Sequence, residues 1–281
     1  MSNMQHIATA EVGFGLDVYN ELIRAQPNDN AFFSPLSLLL ALAMTLLGAQ
    51  ENFLTSFNES CHKFYGSYLQ LVDFKNKASE CELIVNNWVQ QKTNNKIKNL
   101  IPQGTFNQLT TIVLVNVLHF KGSWHKHFRK SATAEKNFKI SQDQTISAPF
   151  MNFNNEKIKY YYDDTLESQV LQIPFIGNTA NFIVILPNLT KTSLPEMKKK
   201  LTSDVIKKIS EKVSNWLKAY IEISEEGVEA AAATAVIGMR TSSRVPSLPR
   251  VEVNADRPFV FLIKESTLGA VLFMGRLKNP K

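Results

Sequence analysis

The sequence predicts an α+β protein, on three observations. Apolar residues recur at helical spacing over Glu11–Gln26 and Pro35–Leu47, near the N-terminus. Alternating or continuous apolar runs fill Ala148–Pro187 and return at Arg257–Arg276, which reads as strands. Between them lies Ser224–Arg244, whose local preferences choose neither state. Its four alanines at 230–233 favour helix, whereas Gly227 and the β-branched Thr234, Val236 and Ile237 oppose it. The chain has 281 residues, 44% hydrophobic and 20% charged, which is ordinary for a globular protein. With no linker or internal repeat, residues 11–281 are expected to form a single domain.

The elements follow in order. Glu11–Gln26 sets Val12, Phe14, Leu16, Val18, Tyr19, Leu22 and Ile23 along one helical stripe, the pattern of an amphipathic helix. After the turn Pro27–Asn30, Ala31–Phe33 reads as a short buried strand. Ser34 can then cap and Pro35 start a helix that is apolar nearly all round to Leu47, so it belongs inside a core. Leu69–Phe74 alternates like a strand. Ile84–Ile101, with Trp88, Val89 and Ile97, reads as helix closed by a turn at Pro102-Gln103-Gly104. Thr111–Phe120 is a β-branched and apolar run suited to a strand buried on both faces. Strands are expected at 158–162, 168–173 and 181–186, the last two joined as a hairpin through Gly177-Asn178. Thr192–Ser214 reads as helix with its lysines outside, and Arg257–Ile263 with Ala270–Arg276 as a closing strand pair.

The stretch from Ser224 fits strand geometry when a slot exists. At period two, Val228, Ala230, Ala232, Thr234 and Val236 share a face, all small or branched. Extended from Gly227 to Thr241 it spans roughly 46 Å at ~3.3 Å per residue, close to the diameter of ~50 Å expected for a compact domain of this length. Its glutamates, glycine, alanine run and arginine-bearing tip resemble the reactive-centre loop of the serpins. Asn30–Ser37 with Leu46–Ala49, Asn87–Ile97 and Leu114–Trp124 resemble further serpin segments, and the likeness runs from about Val12 to Pro280. The N-terminus is similar to the ovalbumin-type, clade-B branch.

That resemblance implies a large mixed β-sheet with additional sheets, helices and an exposed loop. It implies a serine-protease inhibitor that works once, as a suicide substrate: the protease cleaves the loop, which inserts as a new strand and carries the acyl-enzyme with it. Glu225, Glu226, Gly227, Val228, Glu229, Ala230, Ala231, Ala232, Ala233 and Thr234 correspond to the hinge. Ser34, Ser37, Asn116 and Trp124 correspond to the shutter and the top of the sheet. The reactive bond is expected at Arg240-Thr241, with Thr241-Ser242 second and Arg244 third, and arginine there selects a trypsin-like protease.

Departures from the family pattern accompany the match. Too few residues separate Ala49 from Leu69, and a second gap precedes Trp216, so the main sheet is expected to be incomplete. Leu217 stands where a shutter histidine is usual, and Val228 where threonine or serine is. An internally shortened serpin, through splicing or loss of parts, accounts for these gaps. A non-inhibitory member, acting as protease substrate, binding or chaperone-like protein, is the alternative.

Composition narrows the remaining classes. The net charge of +6 is scattered, with no interleaved aromatics, so nucleic acid is not indicated as a partner. No apolar run reaches membrane-spanning length. The N-terminus lacks a signal-peptide pattern and the two cysteines, Cys61 and Cys81, lack metal or redox spacing. A cytoplasmic monomer without cofactor or metal is expected, with export by another route as the alternative, hinted at by sequons at Asn58 and Asn188. The histidines accompany no nucleophile motif, so no enzyme is expected.

Overall fold

The computed structural model describes residues 2–48, 70–141 except 114, 116, 118 and 119, 143–212, 216–224 and 250–280. These divide into two compact units, one of residues 1–35 with 122–281, the other of residues 36–121. In the first unit, α1 (Ser2–Ala25) turns into β1 (Ala31–Phe33). Arg276 fixes that turn by donating to the carbonyls of Gln26 (2.7 Å) and Asp29 (2.9 Å). Asn30 adds to it, its Oδ1 accepting from the backbone of Lys278 and Asn279.

A nine-stranded sheet makes up the body of this unit. Its strands are β1, β2 (Ala134–Lys139), β3 (Thr145–Asp163), β4 (Ser168–Pro174), β5 (Ala180–Pro187), β6 (Trp216–Ser224), β7 (Arg250–Asn254), β8 (Phe259–Glu265) and β9 (Val271–Leu277). The order is β1-β9-β8-β5-β4-β3-β6-β7, with β2 also on β3. The long β3 makes this possible: its first six residues pair with β2, Phe150 to Lys159 with β6, and its last five residues with β4. All pairs are antiparallel except β6 with β7, which is parallel.

Alternation along β4, β5 and β8 sorts side chains onto two faces, as the pleat requires. On one, Val170, Ile183, Ile185, Val260 and Leu262 pack with Tyr19 of α1 and with Ile206 and Ile209. The latter two belong to α5 (Ser203–Lys212), preceded by α4 (Leu194–Lys199), whose Ser193 and Glu196 form a complete capping box. On the other face, Leu171, Ile173, Val184, Leu186 and Phe259 form a second cluster. The helix read over 192–214 is thus two helices, parted at Lys200–Thr202.

The second unit takes up α2 (Pro35–Gly48) from Leu36 onward, together with α3 (Phe74–Lys92). Asp73 caps α3 by accepting from the Asn76 amide at 3.1 Å, so the helix begins where a strand was read and ends well before Ile101. Its inner face holds the chain that follows. Asn86 clasps Ile101 through two hydrogen bonds of 2.8 and 2.9 Å, and buried Glu82 accepts from the backbone of Gly104 (3.1 Å) and Phe106 (2.8 Å). None of the described residues of 111–120 is in a strand, against the expectation for that run.

Candidate functional site

Residues 225–249 connect β6 to β7 and include Glu225–Thr234, Arg240, Thr241, Ser242 and Arg244; they lie outside the described residues, as does Asn116. The anchors of this connection are described. Lys218 pairs with Arg250 and Glu222 with Asn254, so the chain leaves at Ser224 and re-enters six positions back along a parallel neighbour. Two parallel strands cannot be joined by a tight turn. The return distance is only ~20 Å at ~3.3 Å per residue, far less than the segment's extended length.

On its other side β6 pairs with β3, from Trp216 opposite Lys159 to Ser224 opposite Phe150, with a register shift between Phe153 and Glu156. Over Lys218–Glu222 the strand therefore has a hydrogen-bonded neighbour on both edges. Reading from residues alone missed this arrangement, although the signal for the two strands, if not for their pairing, was there. Leu217, Ala219, Ile221 and Ile223 alternate with Lys218, Tyr220 and Glu222, and Val251 and Val253 alternate likewise in β7.

Trp124 is placed in the first unit beside the end of β4. Its backbone forms an isolated antiparallel bridge with Phe175, extended by bonds from Ile176 to the Ser123 carbonyl (2.8 Å) and from His125 to the Pro174 carbonyl (2.9 Å). The indole stacks on Phe175 with centroids 4.7 Å apart and 13° between planes, and meets Phe128 and Phe182 edge-on. Such a cage fixes the ring by area and geometry together. Ser34 closes β1 and Ser37 lies in the first turn of α2; both are half-buried. Cys81 is a buried free thiol. Among the described residues, no group of three or more His, Cys, Asp or Glu is placed to hold a metal, and no helix is long and apolar enough to cross a membrane.

Comparison with known proteins assigns the fold. The family profile described as Serpin (serine protease inhibitor) matches residues 9–53, 50–217 and 213–280. The chain belongs to the serpin family. Serpin B6 of Macaca fascicularis is 31% identical over 86% of this chain and 77% of its own. The leukocyte elastase inhibitor of Equus caballus is 25% identical, covering 99% of this chain and all of its own. That alignment extends over 384 positions against a chain of 281 residues, so this chain is internally shorter than the horse protein. A crystal structure of maspin superposes with a TM-score of 0.86 over the full length of both chains at 20% identity, a likeness of fold.

Proposed function

We infer that the chain acts on serine proteases as a loop-bearing inhibitor of the suicide-substrate kind rather than as an enzyme, with a trypsin-like target. The observation that carries this reading is the segment 225–249 between its two formed anchors, β6 and β7. Its glutamates and small residues suit a hinge that leaves water and enters a sheet, and Arg240 suits a specificity pocket presenting a carboxylate. Cleavage at Arg240-Thr241 releases the loop from β7 while leaving it attached to β6. Ser34, Ser37, Asn116 and Trp124 serve this reading as the positions that govern opening of the main sheet, and the cytoplasm is its proposed setting.

The pairing of β6 on both edges favours a second reading. A strand inserting beside Lys218–Glu222 has to displace either β7 or β3, and the 111–120 run supplies no strand among its described residues. On this reading the protease cleaves the loop and leaves, and the protein acts through binding. Mixing the protein with trypsin separates the two. An adduct that survives denaturation, with the cut mapped by mass spectrometry to Arg240, supports inhibition. Clean cleavage without an adduct supports the second reading, and no cleavage at Arg240 defeats both.

A further inference from the structure

Among the described residues β2 pairs with β3 alone. The turn that joins the two strands shows which of its backbone groups face the other side. Ile140 donates to the Gln144 carbonyl at 2.9 Å, so these two form a hydrogen-bonded pair, next in the register that sets Lys139 opposite Thr145. Bonded and non-bonded pairs alternate along an antiparallel ladder. Phe138, Lys136 and Ala134 therefore bond to β3, while Lys139, Asn137 and Glu135 turn their N–H and C=O groups away from it. Two further observations agree. Glu135 lies opposite Pro149, which has no N–H to give, and the Lys139 N–H donates away from β3, to the Asp256 carbonyl at 2.8 Å.

That last bond closes one end of the outer edge. At the other end the Thr133 N–H turns back to the Lys130 carbonyl at 3.0 Å. Between them, the outward N–H and C=O groups of Glu135 and Asn137 have no backbone partner among the described residues. A groove of about 470 Å³ lies beside them, lined by Glu135, Lys136, Asn137, Phe150, Asn254 and Asp256. Two donors and two acceptors at strand spacing are a template for one more strand. The side chains set its chemistry. Glu135 and Asn137 share the face of Ser147, whose hydroxyl donates to Glu135 Oε2 at 2.7 Å; the carboxylate forms no ion pair among the described residues. The other face carries the buried Phe138, Ala148 and Phe150. An added strand is thus favoured by a basic side chain opposite Glu135, since opposite charges on facing strands attract, and by an apolar one next to it, on the side of Phe150.

We propose that the outer edge of β2 takes up an extended peptide segment of a partner protein as an added strand, with alternating apolar and polar residues and a basic residue opposite Glu135. The surface is distinct from the protease-directed segment 225–249, and its occupancy is read without protease. Fluorescence anisotropy of fluorescein-Val-Arg-Val-Thr-Val-amide, titrated with the whole protein, tests it. One-to-one binding is expected. Methylating the peptide's arginine and threonine amide nitrogens removes its donors to the edge and leaves the protein untouched; binding is expected to weaken roughly thirtyfold, as two lost hydrogen bonds give. Glu135→Gln, checked for folding by its thermal melt, is expected to weaken the arginine peptide about two- to fivefold and to leave a peptide with glutamine in place of arginine unchanged. No binding, equal affinity for the methylated peptide, or equal losses of both peptides to Glu135→Gln overturns the proposal. So does self-association of the protein in sedimentation velocity that excludes the peptide, which assigns the edge to a second copy of the chain.

Discussion

The part of the sheet formed by β4, β5, β8 and β9 and the stretch Leu36–Lys121 both carry many hydrophobic residues but bury them differently. In the first, Val170, Val184, Ile185, Leu186, Val260 and Leu262 are entirely removed from solvent. In the second, Cys81, Val89 and Phe106 are the buried hydrophobic residues among those described, while Leu71, Leu83, Leu109 and Ile112 are exposed. The difference is one of partners. Each sheet strand has neighbours on both edges and side chains on both faces, whereas α3 is held mainly by its caps and by Asn86 and Glu82 gripping the chain after it. Hydrophobicity supplies a driving force only where another surface is present to receive it.

Matched truncations provide the strongest test of this contrast. Ile185→Ala, at a fully buried position in β5, is expected to cost about 3–4 kcal/mol through lost transfer energy and a cavity. Leu109→Ala, at a position 88% exposed, is expected within about 0.5 kcal/mol of the parent. Urea titrations followed by fluorescence measure both. A comparable loss from Leu109→Ala would mean that the second unit buries this residue in solution, and the contrast would fail.

Glu11 sharpens the picture from inside the well-packed region. This α1 carboxyl is 3% exposed, with Oε2 accepting only a 3.3 Å bond from the Val271 amide and Oε1 unpartnered. Burial pushes it up to about 7, partly opposed by that amide and by the charge of Lys264. Because the folded value exceeds the ordinary 4.5, the folded state holds the proton more tightly. The stability this confers is complete below about pH 4.5 and is lost as pH rises through about 7, a fall of about 2–3 kcal/mol. Glu11→Gln should flatten that slope in melts recorded from pH 5 to 8. An unchanged slope would place the titrating group elsewhere.

Much of the well-packed region was legible in the sequence because its strands carry their own signal. Ser168–Ile173, Asn181–Leu186 and the closing pair announce themselves by period and β-branching, and they fold as read. Thr111–Phe120 has the same local signal, yet its described residues are not in a strand, because strand preference is realised only against neighbours. The alignment with the horse inhibitor, 384 positions against 281 residues, shows that this chain is internally shorter than that protein. Leu69–Phe74 was misread for a different reason: Asp73 and Asn76 make a helix cap, which wins over three alternating residues. For the candidate site, Trp124 was singled out by likeness alone, and its stacked cage is visible only in the structure. The two-sided pairing of β6 was not legible, since it depends on β3 running long enough to serve two sets of partners.

Equivalent caps in the two regions give the smallest and most local comparison. Ser193 caps α4 with both halves of its box present, its hydroxyl accepting from the Glu196 amide at 3.3 Å. Beside it Met197 is fully buried in the core cluster. Asp73 caps α3 through a bond of similar length, 3.1 Å from the Asn76 amide, but the first turn it supports, Phe74–Lys77, contains no fully buried residue. Ser193→Ala is therefore expected to lower global stability by about 1 kcal/mol, because α4 docks through Met197 into the same cluster as β5. Asp73→Ala should speed amide exchange in α3 and leave exchange in β4 and β5 unchanged. Faster exchange in β4 and β5 in the Asp73 variant would show that the stretch Leu36–Lys121 shares the cooperativity of the sheet, and its exposed leucines would then need a different explanation.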